Sequence, residues 1–315
     1  MELENMTAVT EVILVGFIYD REVEIPLFFL VFLLVYVTTW IGNLIIIMTV
    51  IYDSQLHKPM YFLLANLAFL DVTESSVTAP RMLWDLLSQK NTISFNGCVT
   101  QIFFLHFIGA TVVLFLMVMA ADRYVDIHKP LSYMTIMNPR MLKGLLAGAW
   151  LGGFLHSIAQ IALIVQLPFC GPNVLDNFYC DVPQVVKLAC TDTHVVELLI
   201  VSNNGLVITG TFNILLISYT FILVKIRSHI TKGKHKALST CGAQITVVIL
   251  HFVPCIFIYA RPFKKFTVDK SVSLLYTIIS PVVNPMIYTL RNTEMKTAIR
   301  RSVGRALFSR SVQQL

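Results

Sequence analysis

The chain has 315 residues, 56% of them hydrophobic and only 13% charged, with a mean hydropathy of +0.72. Soluble domains carry about 25% charged residues, so this composition excludes a disordered chain, argues against a soluble globular one and leaves a polytopic membrane protein. The net charge of +6 and pI near 9.0 would suit nucleic acid, but the basic residues lie in short loops between apolar runs, where a membrane explains them; no nucleic-acid partner is expected.

Residues 1–26 are acidic, with Glu2, Glu4, Glu11, Glu22 and Glu24, and contain the glycosylation sequon Asn5-Met6-Thr7. The first apolar run is too long for a cleavable signal and reads as both signal and first span. A spanning helix needs about 20 mostly apolar residues. Seven stretches qualify, at about 27–51, 60–87, 98–121, 144–167, 195–226, 237–260 and 271–290, although Asp71, Glu74 and Arg81 interrupt the second. The fold class is therefore an all-α membrane protein, a seven-transmembrane helix bundle forming one domain over 1–315. Residues 291–315 read as a cytoplasmic tail with a short amphipathic helix. Its Ile299, Val303, Leu307 and Phe308 are apolar and its Arg300, Arg301 and Arg305 basic, which suits an anionic inner leaflet. No internal repeat or linker separates a second domain.

With the amino terminus outside, the inner segments hold 16 Lys and Arg and the outer ones 8, while loop acids number 4 inside and 12 outside. The reverse orientation inverts both biases, so an extracellular amino terminus is expected. Cys98, Cys170, Cys180 and Cys190 then lie at the oxidising outer face, where three pairings are open; Cys241 and Cys255 lie in the sixth span. The loop 168–194 is the longest connection, and two disulfides would make it an ordered lid, tinted acidic by Asp176, Asp181 and Asp192.

Several motifs fall in order at the helix ends. Gly42-Asn43 is in the first span, and Leu56-His57-Lys58-Pro59-Met60-Tyr61-Phe62 crosses the first inner loop. Met119-Ala120-Ala121-Asp122-Arg123-Tyr124-Val125 ends the third span and Ser218-Tyr219 the fifth. Lys236-Ala237-Leu238-Ser239-Thr240-Cys241 opens the sixth, and Pro281-Val282-Val283-Asn284-Pro285-Met286-Ile287-Tyr288 lies in the seventh, followed by Leu290-Arg291-Asn292. Over nearly its whole length the chain resembles the rhodopsin-like G-protein-coupled receptors, and within them the olfactory receptor family of tetrapod type (class II). It departs from the family pattern at Ala121 (usually tyrosine), Asp126 (alanine), His128 (cysteine), Gln244 (histidine) and Val112 (often glutamate). Four of these five cluster in the inner, signalling half, where they bear on coupling and basal activity.

The resemblance implies disulfides Cys98–Cys180 and Cys170–Cys190. Asn177 stands where some members carry a metal-binding histidine, and an amide is a poor transition-metal ligand, so no metal or other cofactor is expected. It also places Asn43 and Asn284 near Asp71, a polar core that would hold water or sodium or serve structure alone; Val112 removes one ligand for the ion. Glu74, three residues on, shares roughly that face and has no assigned role. Arg123, beside Asp122 and Tyr124, would pair locally at rest and reach a cytoplasmic partner when the sixth helix swings out. Tyr219 and Tyr288 would support the open form. The alternative for Arg123 is snorkelling to lipid phosphate. Pro254, Pro281 and Pro285 lie inside helices and permit kinks there.

Counting inward from Cys98, the third helix offers Leu105, His106, Gly109, Ala110 and Val113 as one stripe. The fourth offers His156, Ser157 and Gln160, and the fifth Asn203 and Asn204, which cannot both point inward. The sixth offers Phe252, Cys255, Ile256 and Tyr259, and the seventh Leu274 and Thr277. These make an apolar cavity with few polar groups, suited to a small, mostly apolar ligand with one oxygen function. An amine site would want an acid on the third helix facing the pocket, and the stripe contains none.

The function implied is an odorant receptor acting through a stimulatory olfactory-type G protein and cyclic AMP, in the plasma membrane and by resemblance the ciliary membrane of sensory neurons. A non-olfactory chemosensory receptor is the alternative within the class. A transporter would show inverted repeats, and a membrane enzyme a motif such as HExxH or GxSxG; neither is found.

Overall fold

The computed structural model describes residues 9–17, 24–88, 91–170, 173–229, 234–261 and 266–312. The long helices are α1 (Glu24–Tyr52), α2 (Pro59–Ser88), α3 (Phe95–His128), α5 (Pro139–Ile164), α7 (His194–His229) and α8 (Lys234–Tyr259). Short α4 (Tyr133–Ile136) and α6 (Val182–Val186) lie in loops. The seventh long helix is composite: α9 (Asp269–Leu274), a π turn at Leu275–Ile279, then α10 (Ser280–Arg291). α11 (Thr293–Val312) follows.

Six of these, α1, α3, α5, α7, α8 and the α9–α10 run, are long and apolar enough to cross a membrane. α2 is equally long at 30 residues but carries Asp71, Glu74, Arg81 and Asp85, and it buries the first two. A bilayer tolerates such charges only when neighbouring helices cover them. The pattern of exposure agrees: α3 is central, whereas α1 turns Leu27, Leu30, Leu34 and Ile41 outward. Without a hydrophobic drive between helices in lipid, close packing rests on small residues. Gly153 of α5 shows this: a Cβ there would lie 2.8 Å from the Phe107 carbonyl oxygen of α3 and clash with Thr111.

At the end that carries the disulfides, a small sheet that composition alone does not announce caps the bundle. β1 (Glu11–Leu14) pairs antiparallel with β2 (Thr92–Ser94) and parallel with β3 (Val174–Leu175). β1 alternates, with Val12 and Leu14 buried and Glu11 and Ile13 exposed, the period of a half-buried strand. Gly16, at φ 63°, turns the chain away beyond the strand, a conformation costly for a residue with a Cβ. Lys270 donates to the Gly16 carbonyl (2.5 Å) and pairs with Asp176, tying this layer to α9. Cys98 is bonded to Cys180 and Cys170 to Cys190, the pairing the family resemblance implies, with Cα separations of 5.4 and 5.7 Å.

At the opposite end, α11 lies across the first connecting loop. Met295 and Ala298 are buried and Arg300 is exposed, so one face of the helix is docked. Arg301 bonds Asp53 (2.9 Å) and Gln55 (2.5 Å), and Tyr61 donates to Glu294 (2.6 Å).

Candidate functional site

A cavity of about 50 Å³ opens beneath the lid, at the level of Leu105–Val113 on α3. His106, Gly109, Ala110, His156, Asn204, Cys255 and Tyr259 all line it, with Leu105 and Val113, so the stripe on α3 converges with α5, α7 and α8. Of the two adjacent asparagines, Asn204 faces the cavity and Asn203 is half-buried elsewhere.

The other sequence-derived positions face neighbouring helices. Ser157 donates to the Phe103 carbonyl (2.6 Å) and so joins α5 to α3. Gln160 donates to Asn204 Oδ1 (3.1 Å), holding that amide from behind. Phe252 is fully buried and stacks on Phe212 at 5.6 Å, and Ile256 packs against the main core. Thr277 donates back to the Ser273 carbonyl within its own helix (2.8 Å).

Five lining residues were not assigned from sequence: Glu74, Val207, Ile208, His251 and Tyr276. His251 was recoverable, because His251, Cys255 and Tyr259 recur every four residues on α8. Tyr276 was not. The π turn at Leu275–Ile279 shifts the phase of the seventh helix, so the face that regular spacing gives to Thr277 belongs to Tyr276. Glu74 carried a signal, an acid inside a span, but no partner to attach it to.

The cavity roof is a hydrogen-bonded chain joining lid, α8 and α9–α10. Tyr259 donates to Asp181 Oδ1 (3.0 Å), and its hydroxyl lies 2.8 Å from that of Tyr276. Tyr276 in turn is 2.8 Å from the Tyr179 hydroxyl, which also bonds Ser273 (3.1 Å). Asp181 is buried, and burial pushes its carboxyl from 3.8 up to about 7, against the pull of the Tyr259 hydroxyl. Gln101 of α3 accepts from the Cys180 amide (2.9 Å), so the lid is fixed beside its disulfide as well.

Deeper, Asn284 donates to Asp71 Oδ1 (2.8 Å), and Asn43 donates to the Thr39 (2.9 Å) and Pro281 (3.1 Å) carbonyls. Among the described residues Asn43 Oδ1, Asn284 Oδ1 and Ser280 Oγ are buried with no hydrogen bond, hard oxygen ligands of the kind that sodium takes. Pro285 packs on Gly42, whose missing Cβ leaves room for the ring.

At the far end of α3, Arg123 is buried and forked between Asp122 and Asp126, each at 3.1 Å. Tyr133 of α4 donates to the other oxygen of Asp122 (2.8 Å). Tyr219 reaches Gln244 at 3.5 Å, and the Tyr288 hydroxyl is buried without a partner among the described residues. Tyr124 stands apart: it is exposed and stacks on His128 at 4.1 Å. Asn5 lies outside the described residues.

Long membrane-length helices, a lid bonded to the third of them, a cavity below it and an Asp-Arg ion pair at the opposite end define a multi-pass receptor of the G-protein-coupled class. Comparison with known proteins makes the assignment specific: a family profile described as Olfactory receptor matches residues 32–306, and the chain belongs to that family. It is 53% identical over 308 residues to Olfactory receptor 4N5 of Homo sapiens, covering 98% of this chain and 100% of the relative. Against Olfactory receptor 4D1 of Homo sapiens it is 56% identical over 307 residues (98% of each), and against Olfactory receptor 4M1 of Mus musculus 51% over 310 (98% and 99%). As a member of this family the chain is a receptor, not an enzyme.

Proposed function

We propose that the chain binds small, mostly apolar odorants in the cavity beneath the lid and activates a stimulatory olfactory-type G protein, raising cyclic AMP. The amino terminus, Asn5 and the lid face the outside of the plasma membrane, in sensory neurons that of the cilium, and the Arg123 end faces the cytoplasm. The observation that carries this reading is the position of α8. One end of it lines the cavity through Cys255 and Tyr259, and the other meets α7 through Gln244 near the Arg123 fork. A ligand that reaches Tyr259 disturbs the Tyr259–Asp181 bond and so biases the tilt of the whole helix, with Pro254 as the interior break. The cavity is small, so a ligand of more than a few heavy atoms must displace side chains to enter, which couples occupancy to movement.

The test is cyclic AMP in cells expressing a surface-tagged chain, screened with volatile apolar compounds while surface level is recorded. A saturable response that Tyr259→Ala removes at unchanged surface level supports the reading. A flat response at good surface level that Ala121→Tyr restores locates the fault in coupling; one that stays flat for both chains counts against odorant signalling.

A further inference from the structure

We propose that Glu74 makes this cavity a site for compact alkylamines, bound as ammonium ions; the inference deepens the receptor reading by naming a ligand class. Glu74 is 2% exposed and lines the cavity, and among the described residues no hydrogen-bond donor or cation reaches its carboxyl group. Asp71, one turn away on α2, has its partner in Asn284. The two acids are therefore not equivalent: one is committed to the helix packing and the other is left facing space.

Among the described residues no lysine or arginine lines the cavity, and Glu74 is the one acid that does. An unpaired buried carboxylate is costly, and a cation that pairs with it removes that cost. The neighbouring groups suit an ammonium further. The Nε2 atoms of His106 and His251 are buried without partners among the described residues, and each accepts an N–H when its ring carries the proton on Nδ1. Leu105, Val113, Val207 and Ile208 form the apolar wall for an alkyl chain. A carboxylic acid of the same shape finds no cation in the cavity to pair with its charge, and an alcohol forgoes the charge-assisted part of the bond. A bound metal would be another way to satisfy Glu74, but among the described residues no three His, Cys, Asp or Glu side chains are grouped to hold one.

The experiment measures thermal stabilisation of the full chain, purified in detergent at neutral pH, as a function of ligand concentration. The probes are butylamine, hexylamine and octylamine, each against the alcohol and carboxylic acid of the same chain length. The expected order is amine, then alcohol, then acid, with amines roughly 10- to 100-fold tighter than their alcohols. Glu74→Gln erases the amine preference and Glu74→Asp keeps part of it. Alcohols matching amines on the unaltered chain overturn the proposal whatever the variants do, as does an amine preference that survives in Glu74→Gln. Amines that bind selectively yet never raise cyclic AMP leave the site assignment standing and remove the signalling reading instead.

Discussion

At residue scale the lid turns on Asp181 and Tyr259. Because burial raises the Asp181 carboxyl to about 7 in the folded chain from 3.8, the folded state holds that proton more tightly than the unfolded one. The associated stability is full below about pH 4 and is lost as pH rises through about 7. Acidifying the purified chain from about pH 8 to about pH 5 should therefore raise the protection of the 177–182 amides relative to their intrinsic exchange rates, and Asp181→Asn should flatten that dependence. Tyr259→Phe removes one hydroxyl from the roof while keeping the ring against His106, centroids 5.6 Å apart. It should weaken lid docking by about 1 kcal/mol, seen as faster exchange in the same segment.

At element scale two contacts decide behaviour. The α3–α5 contact depends on Gly153, and Gly153→Leu should abolish surface expression, since the side chain would have to displace the backbone at Phe107. A normal surface level in that variant would show that α5 can slide to accommodate it. On the proposed receptor reading the Arg123 fork clamps the resting state, and one of its arms, Asp126, departs from the family pattern. The Asp126 side chain is 40% exposed, so solvent screens this arm. Asp126→Ala should raise basal cyclic AMP by only about two- to threefold, and unchanged basal signal would place the clamp on Asp122 alone.

For the whole molecule, the Cys98–Cys180 bond spans 82 residues and joins the lid to the third helix. Closing a loop of that length contributes at most about 4.5 kcal/mol by chain entropy, less where the bilayer already confines the unfolded chain. Cys98→Ser should lower the thermal midpoint markedly and release both the sheet and the cavity roof. Loss of ligand response without loss of thermal stability would mean that the bond positions the lid rather than holding the fold. At the other end, α11 is pinned to the first loop through Arg301, Asp53 and Gln55.

Much of this was legible from the sequence because lipid imposes severe rules. Apolar runs of about 20 residues are hard to read otherwise, and family motifs stand at the helix ends. The stripe His106, Gly109, Ala110 followed from helical periodicity counted from Cys98, and Asn204, Cys255 and Tyr259 from their own helices. Ser157, Gln160, Phe252, Ile256 and Thr277 were read from the sequence as pocket residues and meet neighbouring helices, or for Thr277 its own helix, instead, since period gives direction and not depth. The β1–β2–β3 cap was hidden because its strands come from three distant segments and each is at most four residues long. The sequence by itself determined the helix-bundle class, the cysteines available for pairing and the ion pair at Asp122 and Arg123, all local or motif-borne properties. Tertiary structure alone decided that Tyr276 rather than Thr277 meets the cavity, that Asp181 is buried under Tyr259, and that Glu74 lacks a partner. Each depends on how helices are phased against one another, and phase is set by packing.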